Sequence, residues 1–161
     1  MINKTIVTHI KVDSYFYELI DASLITNNIK LKEDSEAYLI SVFTDFLKQE
    51  QINLFCGTED FGFPSLFSLY KNAQTSPSIS FNEYRNLGDM SLFIASFFRN
   101  YIFRRHSLNN LEYYVDMGSN AYLKASRMTH NQSFNSILGE LALNFKSITE
   151  ALNRSKINIG G

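Results

Sequence analysis

The sequence predicts an all-α fold, a compact bundle of about six helices preceded by a short extended N-terminal arm. Three observations carry that expectation. Apolar residues recur at helical spacing through most of the chain. Only two prolines and seven glycines in 161 residues leave few points at which a helix must stop. The run from Leu87 to Arg99 is apolar around most of its circumference, with small residues at Gly88, Ser91 and Ala95 on one narrow stripe. A helix of that kind is wrapped by others instead of lying on a surface.

The elements follow in order. Residues 1–12 contain a β-branched run (Thr5, Ile6, Val7, Thr8, Ile10, Val12) and read as the extended arm. A first helix opens after Asp13 or Ser14 and carries Tyr15, Phe16, Leu19 and Ile20; Asn27-Asn28 breaks it. The second spans about Asp34 to Gln49, with Tyr38, Leu39, Val42, Phe43, Phe46 and Leu47 as its apolar face. Its first turn is acidic at Glu33, Asp34 and Glu36, as the helix dipole favours. Residues 51–62 read as a loop, and Pro64 opens a short helix.

The central helix starts at Ser80 or Asn82 and continues to Arg105, with Gly88 inside it at a cost of about 1 kcal/mol relative to alanine. Ser107 caps the next helix, which ends near Met128 and places Leu111, Tyr114, Val115, Gly118, Ala121, Tyr122 and Ala125 on one face. Two successive helices with small-residue stripes predict a close crossing of Gly88-Ser91-Ala95 on Gly118-Ala121-Ala125. A single last helix carries Phe134, Ile137, Leu138, Leu141, Phe145, Ile148 and Leu152. Residues 155–161 form a frayed tail, and the whole chain, 1–161, reads as one helical domain.

Two blocks, Tyr84-Arg85-Asn86-Leu87-Gly88-Asp89-Met90-Ser91-Leu92-Phe93 with Phe97-Phe98, and Tyr113-Tyr114-Val115-Asp116-Met117-Gly118 with Ala121-Tyr122, together carry a resemblance. They resemble a family of bacterial all-helical proteins of uncharacterised function. Its pattern is a Leu-Gly-Asp-x-Ser-Leu-Phe helix followed by a Tyr-Tyr…Met-Gly…Ala-Tyr helix. The resemblance covers roughly residues 35–127, with Ser96 standing where the pattern has glycine. It implies a helical fold and implies no activity.

Composition narrows the function classes. Fifteen basic and sixteen acidic residues give a net charge of −1, without the broad positive field that phosphate-backbone binding needs, so no nucleic-acid partner is expected. Arg99, Arg104, Arg105 and His106 interleave with Phe98, Tyr101 and Phe103, but basic residues near a helix end answer to the dipole alone. The central apolar run of about nine residues falls far short of the ~20 that cross a bilayer. The lone Cys56 builds neither a disulfide nor a thiolate metal site, and with no secretory signal in view the expected setting is cytoplasmic. His9, His106 and His130 are isolated from one another, so no metal or other cofactor is expected. Asp60-Phe61-Gly62 matches a kinase triplet without its accompanying motifs, and no nucleophile–base pairing is visible. Binding therefore ranks ahead of catalysis.

The candidate binding residues are Arg85, Asp89, Arg99, Tyr114 and Tyr122. Arg85 and Asp89, one helical turn apart, either form a solvated pair or join a buried polar cluster in which Tyr114 or Tyr122 gives its hydroxyl to Asp89. Arg99 either runs its stem along the helix or reaches a carboxylate or bound anion. Glu112 and Asp116 project from the side opposite Gly118, toward solvent. The leading expectation is a non-catalytic helical module that binds a small ligand or regulatory partner near the junction of the 82–105 and 107–128 helices. The alternative is a self-associating or scaffold protein whose Phe61, Phe63 and Phe67 form an exposed patch.

Overall fold

A computed structural model of the protein describes residues 4–55, 80–99 and 110–156. Among these residues every regular element is a helix: α1 (Lys4–Thr26), α2 (Glu33–Phe55), α3 (Ser80–Phe97), α4 (Asn110–Met128), α5 (Gln132–Leu143) and α6 (Phe145–Lys156). The expected all-α class holds. The chain's contacts divide into two units, Met1–Gly62 and Phe63–Gly161. The predicted Pro64 helix, the Ser107 cap, Cys56 and the Phe61-Phe63-Phe67 patch all fall outside the described residues.

The first unit contains α1 and α2. The expected extended arm is corrected here, because α1 is already helical from Lys4 and takes in the β-branched run. β-Branched residues lower helix propensity only slightly, and a long helix that buries one face overrides that preference. Phe16, Ile20 and Leu24 recur every fourth residue and are buried, as are Leu39, Val42 and Phe43 of α2. Phe16 packs on Phe43 with ring centroids 6.3 Å apart.

The turn between them ends α1 by a Schellman motif. Asn28 takes a left-handed backbone (φ 56°), which asparagine tolerates better than most residues. The Asn28 amide donates to the Ile25 carbonyl at 3.2 Å, and the Ile29 amide donates to the Leu24 carbonyl at 2.9 Å. Thus the expected break at Asn27-Asn28 has a defined hydrogen-bonded form.

In the second unit α3 is buried around its whole circumference from Leu87 to Ser96. Both α4 and α6 pack against it, and α4 also packs on α5. The single last helix of the sequence reading is two. Asn144 interrupts it with a non-helical backbone (φ −106°, ψ 9°), while its amide and its side-chain Nδ2 both donate to the Glu140 carbonyl, at 3.1 and 2.9 Å. That closes α5, and α6 restarts one residue later with Ile148 donating to the Asn144 carbonyl at 2.9 Å. Phe145, Ile148 and Leu152 turn inward along α6.

The α4–α5 corner is fixed by side chains. Asn131 caps α5, its Oδ1 accepting from the Phe134 amide at 3.1 Å. Asn135 Nδ2 donates to the Ser126 carbonyl at 2.6 Å, while Ser126 Oγ donates to the Asn135 carbonyl at 3.1 Å. Ser119 Oγ ties the middle of α4 to the end of α5 through the Ala142 carbonyl, at 2.8 Å.

Candidate functional site

The α3–α4 seam is organised by two glycines with different tasks. At Gly118 an added Cβ would collide with Phe145 of α6 and would lie 2.6 Å from the Ser91 Cβ. Gly118 and Ser91 therefore meet across the seam, as the matching small-residue stripes predict. Ser91 contributes its size: its hydroxyl is buried without a hydrogen-bond partner. Gly88 has another task. An added Cβ there would clash with the Tyr122 ring, 2.6 Å from Cε1, so the bare backbone of α3 is the seat on which that ring lies.

From that seat the Tyr122 hydroxyl reaches the next residue of α3 and donates to Asp89 Oδ1 at 2.6 Å. Asp89 is 8% exposed and Tyr122 fully buried. A buried carboxyl group requires such a partner. The ring completes the junction with an edge contact to Phe145 at 5.8 Å between centroids. Gly88, Asp89, Tyr122 and Phe145 form one packed unit drawn from α3, α4 and α6.

Arg85 and Arg99 separate from it. Arg85 does not pair with Asp89. Its guanidinium lies over the Phe81 and Phe134 rings, 5.8 and 5.9 Å from their centroids, and its Nε is buried without a hydrogen-bond partner. The reason is position: Asp89 turns into the seam toward Tyr122, whereas Arg85 faces the start of α5, where Phe134 offers a ring. Tyr114 is buried on α4, and Tyr122 supplies the hydroxyl to Asp89.

Arg99 folds back on its own helix and donates Nε to the Ala95 carbonyl at 2.9 Å, capping the end of α3. Burial lowers its pKa from the ordinary value; the Glu150 charge on α6 opposes that shift and the Arg154 charge adds to it. No group of three or more His, Cys, Asp or Glu side chains that could hold a metal is present among the described residues.

An open feature lies on the opposite side of α4. Tyr113, Asp116, Met117, Asn120, Ala121 and Lys124 line a depression of about 250 Å³. Its floor is apolar, with Met117 and Ala121 buried, and its rim is polar, with Tyr113 47% exposed. Lys124 Nζ stands 5.2 Å over the Tyr84 ring, linking this rim to α3. Sequence reasoning assigned Asp116 to solvent and passed over the rest. The 3–4 spacing of Tyr113, Met117, Asn120 and Lys124 was the signal available to find it.

Comparison with protein-family models, curated proteins and solved structures finds no match to the chain.

Proposed function

We propose that the protein is a non-catalytic helical binding module, and that its ligand or regulatory partner sits beside the α3–α4 junction on the open face of α4. One observation supports this reading above the rest: a depression with an apolar floor and a mixed polar rim on a helix whose opposite face is committed to packing. The Asp89–Tyr122 pair serves as its foundation. The Tyr122–Asp89 hydrogen bond inside the seam holds α4 against α3, so the groups that face a ligand from the rim are Tyr113, Asp116 and Asn120. The resemblance of both helices to a bacterial helical family supports the same division, since its Leu-Gly-Asp and Ala-Tyr elements coincide with the seam.

The test is a fragment screen by NMR on the dilute full chain. Hits are expected to shift the Tyr113 ring and the Asn120 side-chain amide together, and Tyr113→Ala is expected to abolish those shifts with helicity unchanged. Binding that leaves these signals in place and survives Tyr113→Ala would move the site elsewhere.

A further inference from the structure

Arg85 is a cation held in place without a counter-charge. Its guanidinium carbon lies 5.8 Å from the centre of the Phe81 ring and 5.9 Å from that of Phe134, and the two rings meet edge to face at 6.3 Å. Phe81 and Arg85 come from α3 and Phe134 from the first turn of α5, so the three groups close a triangle between two helix starts. The Arg85 Nε is buried without a hydrogen-bond partner, and among the described residues no hydrogen bond or ion pair engages its other nitrogens. The acidic residues nearest in sequence do not answer it. Asp89 takes the Tyr122 hydroxyl inside the seam, and Glu83 Oε2 is itself buried with no hydrogen bond.

A guanidinium framed in this way suits one kind of ligand. Aromatic rings attract the cation through their faces and use up none of its N–H groups, so the donors of the planar fork are still to be satisfied. A buried N–H left without an acceptor is destabilising, and the dipole of α5 disfavours a lone cation at its first turn. An anion relieves both. The fork matches a carboxylate with two parallel hydrogen bonds, and a side chain already steadied by two rings loses little freedom in making them. The rings bordering the fork add apolar contact for whatever carries the carboxylate, a gain that a hydrated inorganic anion cannot make.

We propose that Arg85, framed by Phe81 and Phe134, is a binding site for a carboxylate carried on an apolar or aromatic stem, separate from the depression on α4. The carboxylate takes the guanidinium edge, and the stem lies against the phenylalanine rings.

The experiment is NMR of the full chain during titration with benzoate, following the Arg85 Nε–Hε signal, which is assigned by its loss in Arg85→Lys. Benzoate is expected to shift that signal together with the Phe81 and Phe134 ring protons, with a dissociation constant in the millimolar range open to so small a ligand. Benzamide has the shape without the charge, and inorganic phosphate has the charge without the stem. Each is expected to bind at least about tenfold more weakly. Arg85→Lys keeps the charge and loses the fork, so benzoate binding read on the Phe134 ring weakens about tenfold. The ligand series uses the unaltered chain and does not depend on any variant's folding. Benzamide or phosphate binding as well as benzoate, binding undiminished in Arg85→Lys, or shifts confined to Tyr113 and Asn120 would each overturn the inference. The last of these would place the carboxylate in the α4 depression instead.

Discussion

Gly88 and Gly139 are both helical glycines, yet the space around them gives them opposite character. At Gly88 a methyl group would have to displace the Tyr122 ring, which is fully buried and fixed at its far end by Asp89. Neither end of that side chain can yield. At Gly139, inside α5, the nearest atom to an added Cβ is Ser126 Oγ at 3.4 Å, an ordinary contact. Gly88→Ala is therefore expected to cost about 1–3 kcal/mol, the range for overpacking a tight core. Gly139→Ala should add up to about 1 kcal/mol by removing backbone freedom from the unfolded chain. Urea midpoints of the two variants, with the slope unchanged, measure both; equal destabilisation would contradict the packing described at Gly88.

The α1–α2 pair places carboxyl groups against one another. Burial raises the pKa of Glu36, and a hydrogen bond to Asp21 of α1 and the charges of Asp21 and Glu33 act in the same direction. A carboxyl whose folded pKa is raised contributes stability that is fully present below its unfolded value, near 4.5, and lost as pH rises through the folded value. Glu36→Gln copies the protonated form. The variant is thus expected to melt higher than the parent at pH 7, with the difference shrinking toward zero near pH 4. A difference that grows on acidification would reverse the sign and exclude this account.

How well the elements could be read from the sequence depends on what signals each of them. Helices α2 and α4 are legible because their apolar residues keep helical spacing and their neighbours are polar, although α2 runs on to Phe55 and so takes in residues 51–55, expected to be loop. The start of α1 misleads, since Thr5, Ile6, Val7 and Thr8 individually suit a strand while the helix that contains them is decided by its length and by Phe16, Ile20 and Leu24. The break at Asn144 is hidden for another reason. Leu141, Phe145, Ile148 and Leu152 are all buried and keep helical spacing across it, so periodicity runs straight through a point where the backbone angles of Asn144 depart from the helix (φ −106°, ψ 9°). In the seam, Gly88, Asp89 and the two tyrosines were visible as a group, but which hydroxyl donates to Asp89 Oδ1 was not. A contact between residues 33 apart depends on how α4 is rotated against α3, and both tyrosines lie on its inner face.

At the scale of the chain, contacts gather separately within Met1–Gly62 and Phe63–Gly161. The second unit holds most of the largest fully buried side chains, among them Tyr122, Phe93, Phe145, Leu87, Leu92 and Ile94. Free energies of local opening follow buried apolar contact, so the units should differ in amide exchange. Hydrogen exchange read by mass spectrometry is expected to find α3 and α4 the slowest, with α1 and α2 exchanging earlier as a group of their own. One common opening rate for all the helices would show that the whole chain unfolds as a single cooperative body. Among the described residues no helix is long and apolar enough to cross a membrane.

The place of Phe145 bears on how the molecule is made. Its ring fills the space that Gly118 leaves and braces Tyr122 from α6, yet it is encoded more than twenty residues after both of the residues it touches in α4. Chains emerge from the ribosome N-terminus first. The crossing of α3 on α4 is thus synthesised with a hole in it and waits for its keystone, and a nascent chain stalled before α6 exposes an unfilled apolar notch to every chaperone in reach.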